Sequence, residues 1–189
     1  MKIKESSMPK EKEWASFFDP TKILSSLGLS PKVVDAADFG CGYGTFTIPA
    51  ATVIRGKIWA FDIENEMIEA TNKKARELNL DNVEALLRDF ILEGSGLEKG
   101  SVDFVMLFNI LHGKNPTNLL KEAHRILRPG GKVGIINWNY DAATPTGPQM
   151  DIRPKPGQCR QWAKSVGFIF EQQVDLKPHH YGMVLRKAP

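Results

Sequence analysis

Between Asp38 and Gly44 the chain reads Asp-Phe-Gly-Cys-Gly-Tyr-Gly, with glycines at alternate positions. Gly40 and Gly42 permit backbone angles and close ligand approach that a side chain would block, and a helix that starts behind such a turn offers free amides and a positive dipole end. A polar cofactor tail can sit there. Asp62 follows Gly40 by 22 positions, and a carboxylate at the end of the next strand can accept hydrogen bonds from both hydroxyls of a ribose. A glycine turn alone also has an ordinary structural use; the acid at this distance makes the pair a candidate site for an adenosine-containing cofactor. The dinucleotide fingerprint wants a small residue three places after its second glycine, and here that place holds Thr45.

The elements that must position these residues follow from hydrophobic periodicity. Val33 to Phe39 is an apolar run ending at the glycine turn, and Thr45 to about Arg55 carries apolar residues at helical intervals. Lys57 to Phe61 is a second strand reaching Asp62, followed by a charged helix whose buried stripe is Met67, Ile68, Ala75 and Leu78 and which ends near Asn79. Val83 to Leu87 is a third strand, and the nearly continuous apolar run Val102 to Phe108 suits a central parallel strand covered on both faces. Asn115 and Pro116 suit a cap and first helical position; Leu119, Leu120, Ala123, Ile126 and Leu127 then recur at helical spacing until Arg128, Pro129, Gly130 and Gly131 stop the helix.

Lys132 to Trp138 is a fifth strand. Asn139 to Gly157, with Pro145, Pro148, Pro154 and Pro156, reads as a long loop, and loops of this length are more often functional than connective. A helix from about Gln158 to Val166 precedes a hairpin of Phe168 to Leu176 and Tyr181 to Arg186. The expected architecture is an α/β, Rossmann-like three-layer sandwich: a mostly parallel seven-stranded sheet, its strands joined by helical crossovers and closed by a C-terminal antiparallel hairpin. One domain is expected over 1–189, with an N-terminal cap at 1–30, a cofactor-binding core at 31–138, an acceptor loop at 139–157 and the last helix and hairpin at 158–189.

Composition excludes several classes. Hydrophobic residues at 42% and charged residues at 25% describe a globular chain with a core to build. A net charge of +3, with Lys2, Lys4, Lys10 and Lys12 interleaved with Glu5, Glu11 and Glu13, is too mild to argue for nucleic acid. No run is long and apolar enough to serve as a secretory signal or a membrane span, so a cytoplasmic location and no membrane partner are expected. Cys41 and Cys159 are too few and too far apart for a disulfide scaffold or a structural zinc site. His112, His179 and His180 are the residues that could suggest a metal, but adjacent histidines in extended chain point to opposite sides, and no metal is expected.

At this point the sequence resembles the class I S-adenosylmethionine-dependent methyltransferases, whose first motif is an acidic residue, any residue, then three glycines at alternate positions. Asp38, Gly40, Gly42 and Gly44 match it, with Phe39 between them. The resemblance continues through Phe-Asp-Ile-Glu-Asn-Glu-Met, where it implies that Asp62 binds the ribose and that Ile63 and Met67 flank the adenine. It then places the adenine amino group on Asp89 and the ring against the backbone of Phe90. In Val-Asp-Phe-Val-Met-Leu-Phe-Asn it sets Asn109 near the methionine part of the cofactor. The stretch from Leu119 to Trp138 resembles the helix and fifth strand of small-molecule methyltransferases of the quinone-biosynthesis type. Phe17 to Pro20 resembles a segment that folds over the cofactor in some members.

The cofactor implied is S-adenosyl-L-methionine and the expected reaction is methyl transfer to a small-molecule acceptor. Such a transfer is an in-line displacement in which the enzyme chiefly holds the nucleophile about 3 Å from the methyl carbon. An acceptor that must lose a proton needs a base, and His112, just beyond the fourth strand, is the candidate; its plain alternative is a solvent-facing loop histidine. Trp138, Asn139 and Tyr140 could wall the acceptor pocket, with Trp138 equally suited to the core, and Arg153 could pair with an acidic group on the acceptor or stand exposed in its loop. Ile110 and Leu111 after Asn109 are not the Pro-Pro-aromatic motif of adenine or glutamine methylation, and the cysteines are too few for arsenic chemistry. Two rivals share the glycine turn and the acid: a nicotinamide-dependent oxidoreductase, and a non-catalytic binder of adenosyl ligands.

Overall fold

A computed structural model describes residues 19–141, 144 and 147–189. The lysine-rich start of the chain, Phe17 and Phe18, and Pro145 lie outside the described residues. The elements in chain order are α1 (Pro20–Ser26), β1 (Ala36–Phe39), α2 (Thr47–Val53), β2 (Ile58–Asp62), α3 (Asn65–Glu77), β3 (Val83–Leu87), β4 (Val102–Phe108), α4 (Pro116–Ile126), β5 (Leu127–Trp138), a 3-10 turn (Met150–Ile152), α5 (Pro156–Val166), β6 (Phe168–Leu176) and β7 (His180–Lys187).

The seven strands lie in the order β3-β2-β1-β4-β5-β7-β6. β7 alone runs against its neighbours β5 and β6; the other pairs are parallel. The strand order reverses between β1 and β4, which sets the ligand crevice of an open α/β sheet at the carboxyl ends of those strands.

β4 shows why the sheet is covered on both faces. Val105 and Leu107 pack with Leu119, Leu120 and Ala123 of α4 and with Cys159 and Ala163 of α5. Phe104, Met106 and Phe108 pack with Leu24 of α1 and Ala50 and Ala51 of α2 on the opposite face. Period-two alternation divides one continuously apolar strand between two cores. Pro116 and Pro156 each stand at the start of a helix, where a missing N–H costs nothing, and Gly167 ends α5 in the left-handed region at φ 99°.

Several boundaries differ from expectation. Helix α2 begins only at Thr47, because the glycine turn, with Gly44 at φ 73°, runs on through Thr45 and Phe46. No helix joins β3 to β4: the connection carries Gly94, Gly96 and Gly100, all at positive φ, and is tied down by side chains instead. Glu122 of α4 accepts from both the backbone N and the hydroxyl of Ser95, at 2.7 and 2.6 Å. β5 starts at Leu127, taking in Arg128 to Gly131 with an irregularity in its ladder to β4. Pro156 belongs to α5, not to the loop before it. Leu78, expected in the buried stripe of α3, is 59% exposed beyond the helix end, and Ile68, Thr71 and Ala75 form the stripe. Among the described residues no helix is long and apolar enough to cross a membrane.

Candidate functional site

Four strand ends meet at one rim of the sheet: Gly40 follows β1, Asp62 closes β2, Asp89 follows β3 and Asn109 follows β4. Strand register makes them neighbours, since Phe39 pairs with both Phe61 and Leu107, and Asp62 with Leu87. The backbone nitrogens of Gly40 and Cys41 both donate to the carbonyl of Phe61, at 2.8 and 3.0 Å, so the glycine turn wraps the end of β2.

Gly40, Gly42 and Gly44 all lie at positive φ, 77°, 53° and 73°, where a side chain is strained. Two of these glycines are closed in by the protein itself. A Cβ on Gly40 would stand 2.9 Å from Cγ2 of Ile110, and one on Gly44 would stand 3.0 Å from the hydroxyl oxygen of Thr71. Their small size serves the packing of the loop against β4 and α3 as much as ligand approach.

Asp62 is oriented by backbone donors. Its Oδ2 accepts from Gly42 N at 2.9 Å and its Oδ1 from Glu64 N at 3.0 Å. Burial pushes its pKa up, opposed by those N–H bonds and by one from Ile63. Asp38 is more deeply enclosed: burial raises its pKa to about 7, against the hydrogen bond from the Thr47 hydroxyl at 2.6 Å and with the charge of Asp62 adding to the rise. Asp38 therefore ties β1 to the start of α2 beneath the loop.

Ile63 and Met67 are half-buried at the head of α3. Asp89 caps its own turn, its Oδ1 accepting from Ile91 N and Leu92 N at 3.2 and 3.1 Å. Phe39 is fully buried, with its ring centroid 5.4 Å from that of Phe61 and 5.2 Å, edge-on, from that of Phe90. The side chains of Phe39 and Phe90 thus belong to the core beneath α4 and α5. Asn109 sits at φ 55°, and both polar atoms of its side-chain amide are shut away from solvent with no hydrogen-bond partner among the described residues. A buried amide in that state is costly unless something else satisfies it.

Beside the rim, on the face carrying α4 and α5, lies a cavity of about 500 Å³. Ile91, Leu111, Leu119 and Trp162 supply an apolar interior, His112 and Lys114 polar edges, and Asp151 to Pro154 one wall from the long loop. Asp89 and Ile110 also line it, and Ile110 is the side chain that packs on Gly40, so cavity and glycine loop share a wall. Trp138 and Tyr140 are not part of that wall. Trp138 is buried against His180 with ring centroids 4.1 Å apart and ring planes tilted by 42°, while Tyr140 is turned outward beneath the ammonium of Lys155.

Arg153 is not an exposed loop arginine. Only 7% of its surface is accessible, and it donates to the carbonyls of Pro148, Asn139 and Asp141 at 2.7, 3.1 and 3.3 Å, stapling the long loop to itself. A second buried polar group does related work: the Tyr181 hydroxyl donates to the carbonyl of Pro154 at 2.7 Å and receives Asn137 Nδ2 at 3.2 Å. His180, the first residue of β7, is buried and His179 half-buried; among the described residues no cluster of His, Cys, Asp or Glu could hold a metal.

Thr71 and Lys74 escaped sequence reasoning. Thr71 donates to the carbonyl of Gly42 at 3.0 Å and Lys74 to that of Tyr43 at 2.7 Å. The available signal was the position of Thr71 between Ile68 and Ala75 on the inner face of an otherwise charged helix.

A family profile described as "Methyltransferase domain" matches residues 36–131, slightly more than half of the chain. The chain is 33% identical over 120 residues to an uncharacterised 37.1 kDa protein in transposon TN4556 of Streptomyces fradiae, covering 62% of this chain and 34% of that protein. It is 30% identical over 120 residues to a demethylmenaquinone methyltransferase of Lactobacillus johnsonii, covering 62% and 47%. The chain thus spans between a third and a half of the length of these relatives. Among solved structures, a SAM-dependent methyltransferase from Aquifex aeolicus superposes with a TM-score of 0.80 at 24% identity over 90% of each chain. The [4+2]-cyclase SpnF superposes at 0.78 with 15% identity, covering 96% and 83%; such a likeness speaks for the fold alone. The profile match spans β1 to the start of β5, and so takes in the glycine turn, Asp62 and the strand ends around them: the chain belongs to the class I S-adenosylmethionine-dependent methyltransferases.

Proposed function

We propose that this chain moves a methyl group from S-adenosylmethionine to a small organic acceptor held in the cavity beside the glycine loop. The observation that carries this reading is the shared wall: Asp89 and Ile110 belong at once to the strand-end rim and to a cavity of about 500 Å³, a volume suited to a small molecule. The rim fits the cofactor on a second ground. The Asn109 amide, buried and unpartnered, offers one acceptor and two donors, which suits the zwitterionic end of an amino acid. When bound, the cofactor supplies an activated methyl group on a sulfonium.

The residues divide the remaining work. Asp62, held by Gly42 and Glu64, has a second acceptor site on each oxygen for the ribose hydroxyls. Ile63 and Met67 flank the adenine, Asp89 and the backbone of Phe90 meet its edge, and Phe39 supports that wall from the core. Asp38, Gly40, Gly42 and Gly44 shape the turn under the methionine part, with Asn109 opposite. His112, half-buried where the cavity meets the β4 end, takes the proton of an acceptor hydroxyl or amine as it attacks. The apolar lining excludes water and holds the acceptor on the line of attack, which is the larger part of catalysis in a displacement of this kind.

The demethylmenaquinone methyltransferases among the relatives support a small aromatic acceptor over a protein or nucleic acid. Calorimetric titration with S-adenosylmethionine, S-adenosylhomocysteine and NADH tests the cofactor. Micromolar binding of the first two alone is expected, and binding of NADH alone would restore the oxidoreductase reading. Transfer of a radiolabelled methyl group to a panel of small phenols, quinols and amines then tests the reaction. Cofactor binding with no transfer to any of them favours the non-catalytic reading, and loss of transfer with retained cofactor affinity in His112→Ala is the expected mark of a base.

A further inference from the structure

Every carbonyl of the glycine turn from Cys41 to Gly44 is claimed by the protein. Gly44 N donates to Cys41 O and Ile48 N to Gly44 O, both at 3.0 Å, as turn and helix geometry require. The two between them have no such local donor. Gly42 O receives the Thr71 hydroxyl at 3.0 Å and Tyr43 O receives the Lys74 ammonium at 2.7 Å, across 29 and 31 residues of sequence. Both donors sit on α3, one turn apart on its inner side, and Thr71 is fully buried there.

We propose that Thr71 and Lys74 are positioning residues for the cofactor, which act by drawing the carbonyls of Gly42 and Tyr43 onto α3 and so fixing the peptide planes of the turn. The inference rests on the cofactor reading above. A hydroxyl carries one hydrogen, and the Cys41 sulfur, 3.8 Å from the Thr71 oxygen, is the poorer acceptor, so that hydrogen goes to Gly42 O. The peptide that ends in Gly42 N is then held from both sides of the residue: its N–H by Asp62 and the following C=O by Thr71. Carbonyls pinned against the helix cannot swing into the site, where their negative ends would oppose a carboxylate. The glycines that let the turn adopt its left-handed angles also leave it free to leave them, and glycine loses more conformational freedom on ordering than any other residue. The turn therefore needs an external clamp, and Gly44, where a Cβ would strike Thr71, lets α3 come close enough to provide one.

The test is the affinity of the intact chain for S-adenosylhomocysteine, measured calorimetrically at a temperature where circular dichroism shows every variant folded. Thr71→Val, which keeps the shape and removes the hydroxyl, is expected to weaken binding about tenfold, and Thr71→Ser to restore it to within about threefold. Lys74→Met, a half-exposed position at which folding is not at stake, is expected to weaken it about fivefold, while Lys73→Met on the exposed side of the same helix leaves it unchanged. Unchanged affinity in Lys74→Met together with equal affinities for Thr71→Val and Thr71→Ser would overturn the clamp. If the unmodified chain itself fails to bind the ligand, the cofactor reading falls and the clamp with it, so the two failures are distinguishable.

Discussion

The Oδ2 of Asp62 and the backbone N–H of Gly42 stand 2.9 Å apart, so the acid at the end of β2 is a structural part of the glycine turn at the end of β1. The residue proposed to bind ribose thereby also decides how the turn sits. The second oxygen, on Glu64 N, anchors the same carboxylate to the start of α3. Acid, turn and helix form one unit that a ligand meets already assembled.

Replacing Asp62 should act on both sides of that unit. Asp62→Ala removes the proposed ribose contacts and leaves the Gly42 N–H without its partner, so S-adenosylhomocysteine affinity is expected to fall by about 100-fold and stability by about 1–2 kcal/mol. Calorimetry and urea unfolding read the two separately. Unchanged affinity would remove Asp62 from the ribose site.

Gly40→Ala should be worse than a glycine-to-alanine change elsewhere on the loop rim. Its backbone lies at φ 77° and the new methyl would stand 2.9 Å from Ile110 Cγ2, a branched carbon close to its own backbone and unable to swing aside. A loss of about 1–3 kcal/mol in stability, with weakened ligand binding, is the expected result of thermal and calorimetric comparison.

Glu122 should contribute an acid-sensitive share of stability. Burial raises its pKa, but the Arg125 guanidinium and the two donors of Ser95 outweigh that and hold it at about 2, below the ordinary 4.5. A carboxyl whose pKa is lower in the folded chain stabilises the fold above about pH 4.5, and that share is lost as pH falls toward 2. Urea unfolding of Glu122→Gln is expected to show a deficit of about 1 kcal/mol at pH 7, after allowance for solvent screening, that shrinks toward pH 3.

His180 should impose a second acid sensitivity at higher pH. Burial, with the neighbouring charges of His179 and Arg153, lowers its pKa from 6.5 to about 3, so it is neutral against Trp138. Its contribution is complete above pH 6.5 and declines as pH falls toward 3, because only the unfolded chain takes up the proton in that interval. Between pH 7 and pH 5 the unmodified chain is expected to lose up to about 2 kcal/mol that His180→Gln does not lose, as read from urea midpoints.

The glycine turn, the acid after the second strand and the order of strands and helices could be read from sequence because each rests on local spacing. Alternate glycines at the end of an apolar run dictate a turn with positive φ, a nearly unbroken apolar run from Val102 to Phe108 dictates a strand covered on both faces, and helical recurrence dictates the buried face of Leu119 to Ile126. The helix-free link from β3 to β4 was not legible in this way, since what holds it is Glu122 on a different element. The same holds for Arg153, whose loop position suggested exposure until the carbonyls of Pro148, Asn139 and Asp141 closed around it.

What the sequence by itself determined is therefore the order of the strands along the chain and most of their helices, with Asp38 to Gly44, Asp62, Asp89 and Asn109 each arriving at a strand terminus. Only the tertiary structure decided which of them share a surface, that Phe39 and Phe90 face inward, that Thr71 and Lys74 reach the turn, and that a cavity opens between Asp89 and Arg153. Backbone preferences act over a few neighbouring residues, whereas those contacts depend on sheet order and on the packing of helices laid across it, which bring together residues that are dozens of positions apart.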